Sequence, residues 1–402
     1  MADITHKQVI LGVTGGIAAY KAAELTRELQ RKGIDVQVVL TRAAGSLVTP
    51  ATFQALSGKP VFSDLWDPRI ADSMGHIELS RGKNAIVVAP ATADFIAKIA
   101  NGLADDLLST LCLARECPLL VAPAMNRQMW DNPATRRNVE RLLRDGVTIL
   151  GPASGDQACG ETGLGRMLEP EEIADAVVGE LAPKLMRGAR VLITAGPTFE
   201  PIDAVRGITN RSSGKMGYAL ARAALDAGAK VSLVSGPVSL AVPAGAEVAQ
   251  VETAAQMFEA VKRQVARTDI YIGVAAVADY HVDRPRAHKI KKTDERQLRL
   301  KLLPNPDILG WVASRPKPPF CVGFAAESRN LDAYAEAKRR RKKVHVMVAN
   351  LVQDAVGSDE NEVMVLDDRG KHRLERAPKD VIARQLIAHV AQLYGARTRG
   401  RR

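Results

Sequence analysis

The residues with the clearest potential for chemistry lie in a glycine-rich stretch, residues 151–166, that carries a single cysteine, Cys159. The stretch has neither apolar alternation nor a helical apolar repeat, so we expect neither a strand nor a helix. Glycine reaches positive φ easily, which suits a loop that closes over a ligand and opens again. A thiol on such a loop is accessible to a substrate. Taken alone, the stretch fits a plain surface loop that happens to carry a cysteine equally well.

Two further side chains are candidates in the first half of the chain. His76 follows Gly75, and this loop position suits proton transfer, although a lone histidine is more often structural. Asn126 follows an apolar run that ends at Pro123, and its side-chain amide can hold a carboxylate or carbonyl group. These two residues and Cys159 are the candidate reactive groups of this half.

The elements that position these residues begin with a strand over 8–13, a turn through Gly15 and Gly16, a helix over 17–32 and a strand over 36–40. This order is the start of a doubly wound α/β domain, in which the backbone N–H groups at the helix start can seat a phosphate. The glycines do not follow the G-x-G-x-x-G spacing, so a mononucleotide phosphate fits better than a dinucleotide. A tight turn without a ligand is the alternative.

Further buried strands indicate that both halves of the chain have this architecture. In the first half they lie at 85–89 and 119–122, and each ends in a proline-marked loop at the sheet edge where ligands bind. A strand at 147–150 and a helix at 171–185 complete it. The second half begins near Arg190 and is predicted to contain strands at 191–194, 231–234, 270–274, 320–324 and 344–348, a long loop at 206–217, a helix at 218–227, a hairpin from 363–366 past Gly370, and a helix at 378–393.

The composition limits the class of protein. Of 402 residues, 46% are hydrophobic and 25% charged, which is ordinary for a globular protein, and no apolar run is long enough for a membrane span. Four scattered cysteines favour a reducing, cytoplasmic setting. The formal charge of +11 is concentrated at 338–343 and in a tail at 396–402, which we expect to be disordered. Such a tail is weak evidence for nucleic-acid binding, and we expect no nucleic-acid partner.

Five motifs of the first half are shared with a known family, and they lie at 14–17, 75–77, 89–94, 123–130 and 158–163. They resemble the phosphopantothenoylcysteine decarboxylases, members of a family of homo-oligomeric flavin-dependent cysteine decarboxylases. Four motifs of the second half, at 208–217, 275–280, 289–292 and 304–307, resemble phosphopantothenate–cysteine ligase. Their order matches the bacterial bifunctional proteins of coenzyme A synthesis, and the resemblance covers nearly the whole chain except the basic tail.

The resemblance implies an α/β fold of two unrelated doubly wound domains: a flavodoxin-like, FMN-binding decarboxylase domain over 1–185 and a Rossmann-like, CTP-binding ligase domain over 190–395. In the first, FMN oxidises the thiol side of the substrate to a thioaldehyde, which accepts the electrons left by CO₂ loss. By analogy, Cys159 donates a proton, Asn126 binds the substrate carboxylate and His76 assists the oxidative step. The FMN contacts implied are Gly15, Gly16, Thr41, Ala91, Thr92, Asp94 and Met125.

For the second domain, the resemblance implies that CTP activates 4′-phosphopantothenate as an acyl-cytidylate, which the amine of L-cysteine then attacks. Asn210 contacts the acyl intermediate and Lys289 the phosphates, with Mg²⁺ bridging phosphates and Asp279 as a candidate ligand. The CTP contacts implied are Gly273, Val274, Ala275, Asp279, Lys289, Pro304, Asn305, Pro306, Asp307, Phe324, Lys338 and Lys342. For the cations at 338–343, a solvated helix face is the alternative.

Two further expectations come from the resemblance. The flavin site lies between subunits in this family, which implies a homo-oligomer built on trimers of the first domain, such as a dodecamer. The family usually has an aspartate where this chain has Leu351, so one carboxylate that contacts a metal or a hydrogen-bond donor is missing.

Two rival functions remain to be compared. A flavoprotein oxidoreductase with an NAD(P)-binding second domain would need a glycine fingerprint that neither strand–helix turn has. A flavin-dependent regulatory protein that binds nucleic acid through its tail would lose function on deletion of 396–402, and a salt-dependent DNA-binding assay separates it from the enzyme.

Overall fold

The computed structural model describes residues 7–67, 69, 75–157, 160–291, 298–327, 331–351 and 358–399. The chain divides into two compact units, Ala2–Ala182 and Pro183–Arg402. Among the helices in the described ranges, none is both long enough and apolar enough to cross a membrane.

A five-stranded parallel sheet forms the centre of the N-terminal unit, in the order β2-β1-β3-β4-β5. The chain leaves β1 toward one edge and returns to its other side at β3, so the topological switch point lies between β1 and β3. The strands are β1 (Gln8–Val13), β2 (Asp35–Leu40), β3 (Ala85–Ala91), β4 (Leu119–Pro123) and β5 (Thr148–Ile149).

Helices cover both faces of this sheet because successive strand residues point to opposite sides. In β1, Val9 and Leu11 belong to one apolar core and Ile10 to the other. On α1, Leu25 and Leu29 recur at helical spacing and are fully buried against the first core. The helices are α1 (Ala19–Arg31), α2 (Arg42–Gly45), α3 (Pro50–Ser57), α4 (Gly75–Ser80), α5 (Ala93–Ala100), α6 (Leu107–Ala114), α7 (Arg127–Asp131), α8 (Pro133–Arg144) and α9 (Pro170–Leu181).

The glycine-rich stretch contains an antiparallel hairpin, β6 (Ala153–Asp156) and β7 (Thr162–Arg166), so the prediction of neither strand nor helix was wrong. Gly155 lies opposite Gly163 in this hairpin. Two such strands pair through backbone groups alone, and because the hairpin buries no apolar face of its own, its sequence shows no apolar alternation.

The C-terminal unit contains an eight-stranded sheet in the order β12-β11-β8-β13-β16-β17-β18-β19. Its first six strands are parallel and, counted along this unit, follow the order 3-2-1-4-5-6 of a Rossmann fold, with the switch point between β8 and β13. The strands are β8 (Arg190–Ala195), β9 (Phe199–Pro201), β10 (Gly207–Thr209), β11 (Lys230–Ser235), β12 (Glu247–Gln250), β13 (Ile270–Gly273), β14 (Tyr280–Val282), β15 (Leu302–Pro304), β16 (Phe320–Glu327), β17 (Val346–Leu351), β18 (Glu360–Asp367) and β19 (Gly370–Pro378).

The helices of this unit are α10 (Lys215–Asp226), α11 (Ala254–Val265), α12 (Ile308–Ala313), α13 (Leu331–Lys342) and α14 (Lys379–Arg399). The predicted disordered tail is wrong for residues 396–399, which continue α14. Its cations are compatible with a solvated last turn, where positive charge also suits the helix dipole. Residues 400–402 lie outside the described residues. The predicted α/β class with two doubly wound sheets is confirmed.

Candidate active sites

Thr14 connects the loops on the two sides of the N-terminal switch point. Its hydroxyl donates a 2.7 Å hydrogen bond to the Pro90 carbonyl and accepts a 3.0 Å hydrogen bond from the Thr92 N–H. Thr14 is 1% exposed, so this connection is shielded from water. Thr14 lies in the motif at 14–17, and no role was predicted for it.

The predicted FMN residues are brought together at this edge of the sheet. A Cβ on Gly15 would lie 2.3 Å from the Cβ of Ala43, so only glycine lets the first loop approach α2. A Cβ on Gly16 would lie 3.6 Å from Thr92 Cγ2 and 3.9 Å from the Ala124 carbonyl oxygen. The loops after β1, β3 and β4 therefore meet around Gly16.

Two helix N-termini border this place. Helix α1 has no side-chain cap and no acidic residue in its first turn. The Ala19 and Lys21 N–H groups donate to the Gly16 and Ala18 carbonyls, and the positive end of the helix dipole still favours an anion here. Thr92 caps α5 through its hydroxyl, and Thr41 caps α2 in the same way. Asp94 is mostly exposed, and its nearest described cation is Lys98 at 3.9 Å.

The hairpin β6–β7 docks on the loop after β4 through Glu161. The Nδ2 of Asn126 and the Nε2 of Gln128 each donate a 2.8 Å hydrogen bond to this carboxylate. The donations from Gln128 and Asn126 hold the pKa of Glu161 below its ordinary value, although partial desolvation opposes them. Sequence reasoning missed Glu161, whose signal was its place two residues after Cys159.

A second contact fixes the other strand of the hairpin. The N–H of Met125 donates a 2.9 Å hydrogen bond to the Gly165 carbonyl. Gly165 has φ +138°, and a Cβ there would lie 2.3 Å from the Met125 carbonyl oxygen. Cys159 itself lies outside the described residues. On either side of this gap, the Gly160 N–H donates a 2.9 Å hydrogen bond to the Gln157 carbonyl.

His76 lies on α4 rather than in a loop, so the predicted loop position was wrong. The Ile77 carbonyl accepts a 2.9 Å hydrogen bond from the Arg81 N–H, just past the end of α4. The side chain of His76 is not among the described ones, and its part in the reaction stays a prediction.

The C-terminal switch point is closed by tight backbone packing. The Val274 N–H donates to the Thr194 carbonyl at 3.2 Å, which joins β13 to β8 just beyond their paired residues. A Cβ on Gly217 would lie 2.5 Å from the Cβ of Ala195, so α10 approaches this edge only because residue 217 is glycine. The cap of α10 is Gly214, without a side-chain cap and without an acid in the first turn.

Asn210 lies over the loop that follows β13. Its Nδ2 donates a 2.9 Å hydrogen bond to the Ala276 carbonyl, beside the predicted contact Ala275. The same loop is held by Thr198, a fully buried residue whose hydroxyl accepts from the Ala278 N–H at 3.0 Å. Sequence reasoning missed Thr198, which directly follows the glycine turn after β8.

Several predicted CTP residues converge at α12. Asp307 caps this helix and accepts a 2.9 Å hydrogen bond from Lys342. Burial raises the pKa of Asp307, but the donation from Lys342 and that of the Gly310 N–H outweigh it, so the pKa lies below its ordinary value. Gly273 of β13 pairs with Gly323 of β16, and the half-buried Phe324 follows Gly323 in the chain.

The remaining predicted contacts lie at the edge of this place. The Asn305 N–H donates to the Asp279 carbonyl at 2.8 Å, and its Nδ2 donates to the Ala278 carbonyl at 2.9 Å. Asp279 and Pro304 are exposed, whereas Pro306 is half-buried. Lys338 is half-buried one turn before Lys342 on α13. The side chain of Leu351, at the end of β17, is not described.

Lys289 is not brought together with the other predicted CTP residues. It is exposed and lines a groove of about 670 Å³ formed by the segment between β14 and β15. The neighbouring Ile290 N–H donates to the Asp203 carboxylate at 3.1 Å. That buried carboxylate also pairs with Arg206, which holds the pKa of Asp203 far below its ordinary value. Sequence reasoning missed Asp203, which anchors the segment carrying Lys289.

Comparison with known proteins decides the family. Residues 2–182 match the family model described as Flavoprotein, and residues 186–394 match the DNA/pantothenate metabolism flavoprotein C-terminal domain. Coenzyme A biosynthesis bifunctional protein CoaBC of Vibrio parahaemolyticus is 46% identical over 98% of this chain and 100% of its own length. The protein of that name from Escherichia coli K12 is 45% identical over 99% and 100%. The chain belongs to this family.

Membership makes the chain a bifunctional enzyme of coenzyme A biosynthesis, with a flavoprotein decarboxylase half and a ligase half. The family and the two activities predicted from the motifs are thus confirmed. A solved C-terminal domain of CoaBC is also similar, at 36% identity over 53% of this chain and 99% of the solved chain, with a TM-score of 0.46. The roles of individual side chains stay predictions.

Proposed function

We propose that the C-terminal unit joins 4′-phosphopantothenate to L-cysteine at the expense of CTP, and that the N-terminal unit decarboxylates the product with FMN to give 4′-phosphopantetheine. One observation carries this proposal. At each switch point a helix, α1 or α10, begins without a side-chain cap and without an acid in its first turn. Such a helix start suits a phosphate group, and each unit acts on phosphorylated molecules.

The residues at the N-terminal switch point fit FMN. Sheets of the order 2-1-3-4-5 commonly bind a mononucleotide at the β1/β3 edge. The loops after β1, β3 and β4 meet around Gly16 at this edge, which supports FMN as the ligand. The α1 N-terminus would hold the phosphate, while the Thr41 hydroxyl and the Ala91–Asp94 loop would contribute polar contacts. When bound, FMN takes up the electron pair of the oxidative step and later returns it.

The chain's own residues bind and orient the substrate. The Asn126 amide, which holds the Glu161 carboxylate, would hold the substrate carboxylate with the same donor. Cys159 comes three residues after Asp156, the last residue of β6, and we assign it the proton donated after decarboxylation. His76 on α4 assists the oxidative step. Because Glu161 and Gly165 both contact the loop after β4, hairpin closure would bring the Cys159 segment over the bound substrate.

In the C-terminal unit, the α10 N-terminus and the cations near Asp307 would hold the CTP phosphates. Lys342 is 19% exposed and is paired with Asp307. It could contact a phosphate of CTP by exchanging this partner. Asn210, fixed over the loop after β13, would contact the acyl group, while Lys289 would reach the phosphates from its segment. We assign Mg²⁺ to the phosphates, with the exposed Asp279 as a candidate ligand.

Two features support an assembled, cytoplasmic enzyme. Ile17 and Tyr20 are 68% and 64% exposed beside the proposed flavin site, as expected if a neighbouring subunit of a trimer covers them. Cys112, Cys117 and Cys321 are free thiols, as expected in a reducing compartment.

The test is reconstitution with purified full-length protein, 4′-phosphopantothenate, L-cysteine, CTP and Mg²⁺. We expect a yellow protein that produces CO₂, CMP and 4′-phosphopantetheine. A colourless protein that cannot take up FMN would refute the decarboxylase assignment, and cysteine ligation without CMP release would refute the use of CTP.

A Cys159→Ser variant tests the proton donor. We expect this variant to form the ligated product and release CO₂, but to stop before 4′-phosphopantetheine because the final protonation lacks its donor. Mass spectrometry of the products gives the result. Normal 4′-phosphopantetheine output would contradict the role of Cys159.

A further inference from the structure

A cluster of two histidines and one aspartate lies in the C-terminal unit, and the ligase chemistry uses none of its members. Asp367 ends β18, His372 lies on β19 and His389 on α14. The His389 Nε2 is 2.6 Å from Asp367 Oδ2, and the His372 Nε2 is 3.4 Å from the same oxygen. One ligand atom from each residue lies within 4.8 Å of the other two.

The side chain of Asp367 is buried, and a hydrogen bond from the neighbouring turn fixes its orientation. Its side chain is 1% exposed, and its Oδ1 accepts a 2.6 Å hydrogen bond from the Arg369 N–H in the turn between β18 and β19. This bond fixes the carboxylate and leaves Oδ2 for the two histidines. A buried carboxylate requires partners that offset its desolvation.

Hydrogen bonds within the cluster satisfy Asp367 and His389 but not His372. Within the described part of the chain, the His372 Nε2 is buried and has no hydrogen-bond partner. The rings are 4.9 Å apart and tilted by 57°, so they are not stacked. Both Nε2 atoms instead converge on one carboxylate oxygen, and hydrogen bonding satisfies only His389.

We propose that Asp367, His372 and His389 bind one divalent transition-metal ion, Zn²⁺. Imidazole nitrogen and carboxylate oxygen are zinc ligands, and three protein ligands leave the fourth position to water. At Zn–N distances of about 2.1 Å, tetrahedral ligand atoms lie about 3.4 Å apart, which is the separation of His372 Nε2 and Asp367 Oδ2. His389 Nε2 and Asp367 Oδ2, now 2.6 Å apart in a hydrogen bond, would move apart by about 0.8 Å as the ion replaces that bond. Mg²⁺ prefers oxygen ligands, so this ion is distinct from the one proposed at CTP.

The ion would fasten the C-terminal helix to the edge of the sheet. His389 belongs to α14, whose Ile382 and Leu386 are buried in the core of this unit, while Asp367 and His372 flank the β18–β19 turn. A ligand that binds the folded state alone raises the free energy of unfolding by an amount that grows with the logarithm of its free concentration relative to its Kd. The ion would therefore stabilise the contact between α14 and the β18–β19 turn.

The test is equilibrium dialysis of EDTA-treated full-length protein against Zn²⁺, with bound metal measured by mass spectrometry. Wild-type protein should bind one more Zn²⁺ per chain than His372→Ala or His389→Ala. His288→Ala removes a histidine from the exposed segment near Lys289 and should bind as much as the wild type. Equal zinc content in the wild type and both cluster variants would overturn the proposal. The three side chains would then form only a hydrogen-bonded triad.

A second measurement covers a variant that folds poorly. Zn²⁺ should raise the Tm of wild-type protein, and Asp367→Asn, which keeps the shape of the side chain, should weaken zinc affinity by about tenfold or more. Circular dichroism and retained cysteine ligation confirm the fold of each variant. No change of Tm with Zn²⁺ in the wild type would overturn the proposal irrespective of the variants.

Discussion

At the scale of single residues, the contact between Asn126 and Glu161 is the most informative one in the N-terminal unit. The amide that we assign to the substrate carboxylate already binds a carboxylate of the chain itself. A group that recognises one carboxylate recognises another with the same geometry. If Asn126 has the role that we propose, Glu161 marks the position of the substrate carboxylate, and substrate entry would require Glu161 to leave Asn126.

The variant Asn126→Asp tests this assignment. Aspartate caps α7 as well as asparagine does, but it replaces the amide donor with a second carboxylate that repels the substrate. We expect decarboxylation to fall by about a hundredfold, as on loss of one preorganised donor, with ligation unchanged. Separate assays of CO₂ and CMP give both rates.

Asn132→Asp is the matched control, because Asn132 caps α8 through the same side-chain geometry, with Ala134 N–H as the donor at 2.9 Å. This variant should decarboxylate normally. Equal rates in the two variants would show that the Asn126 amide does not hold the substrate.

At the scale of elements, the hairpin β6–β7 belongs to the decarboxylase site that we propose. It is attached to the loop after β4 by Glu161 and by the backbone bond between Met125 and Gly165. The hairpin contributes few apolar contacts, so its docking depends on these polar contacts and on close backbone approach.

The variant Gly165→Ala should detach the hairpin. A Cβ there would meet the Met125 carbonyl oxygen at 2.3 Å, and a backbone atom cannot move aside as a side chain does. We expect a loss of about 1–3 kcal/mol in unfolding free energy and a fall in decarboxylation, since the Cys159 segment loses its support. Thermal unfolding and CO₂ release measure the two effects.

Gly102→Ala is the control for backbone strain, because Gly102 also has positive φ, +71°, but no atom lies within 4 Å of the place that its Cβ would take. It should cost about 1 kcal/mol and leave decarboxylation unchanged. Normal decarboxylation by Gly165→Ala would show that the hairpin need not dock on Met125.

At the scale of the whole molecule, paired carboxylates make the C-terminal unit sensitive to acid. Arg339 and Arg340 lower the pKa of Glu336 from 4.5 to about 2. A carboxylate whose folded-state pKa lies below its unfolded value stabilises the fold above the unfolded pKa, and this contribution is lost as the pH falls through the folded pKa. The pKa of Asp269, which is paired with Arg190, is shifted in the same direction.

We therefore expect the Tm of this unit to be level from about pH 7 to pH 5 and to fall between about pH 4.5 and pH 2. Glu336→Gln should lower the Tm at pH 7 by about 0.5–4 °C, because a surface ion pair contributes about 0.2–1 kcal/mol. The difference from wild type should shrink toward pH 2. Calorimetry at several pH values measures it, and a difference independent of pH would contradict the assigned pKa.

The sequence by itself determined the fold class, the two strand–glycine–helix units and the family. These features depend on local patterns: apolar runs mark the buried parallel strands, and glycines mark the turns at their ends. Gly15 and Gly16 accordingly lie in the turn between β1 and α1, where they were predicted. The positions of the switch points depend on the order of the strands within each sheet. The alternation of strands and helices along the sequence is compatible with this order but does not determine it.

Only the tertiary structure decided the partners of polar side chains that are distant in sequence. Asn126 and Glu161 are 35 residues apart, and Asp203 and Ile290 are 87 apart, so no local pattern records that they meet. The hairpin at 153–166 and the cluster of Asp367 with two histidines arise for the same reason. A backbone hydrogen-bonding group or a buried charge needs a partner of suitable geometry. Folding brings that partner into place, and the spacing of residues in the sequence does not reveal which residue it is.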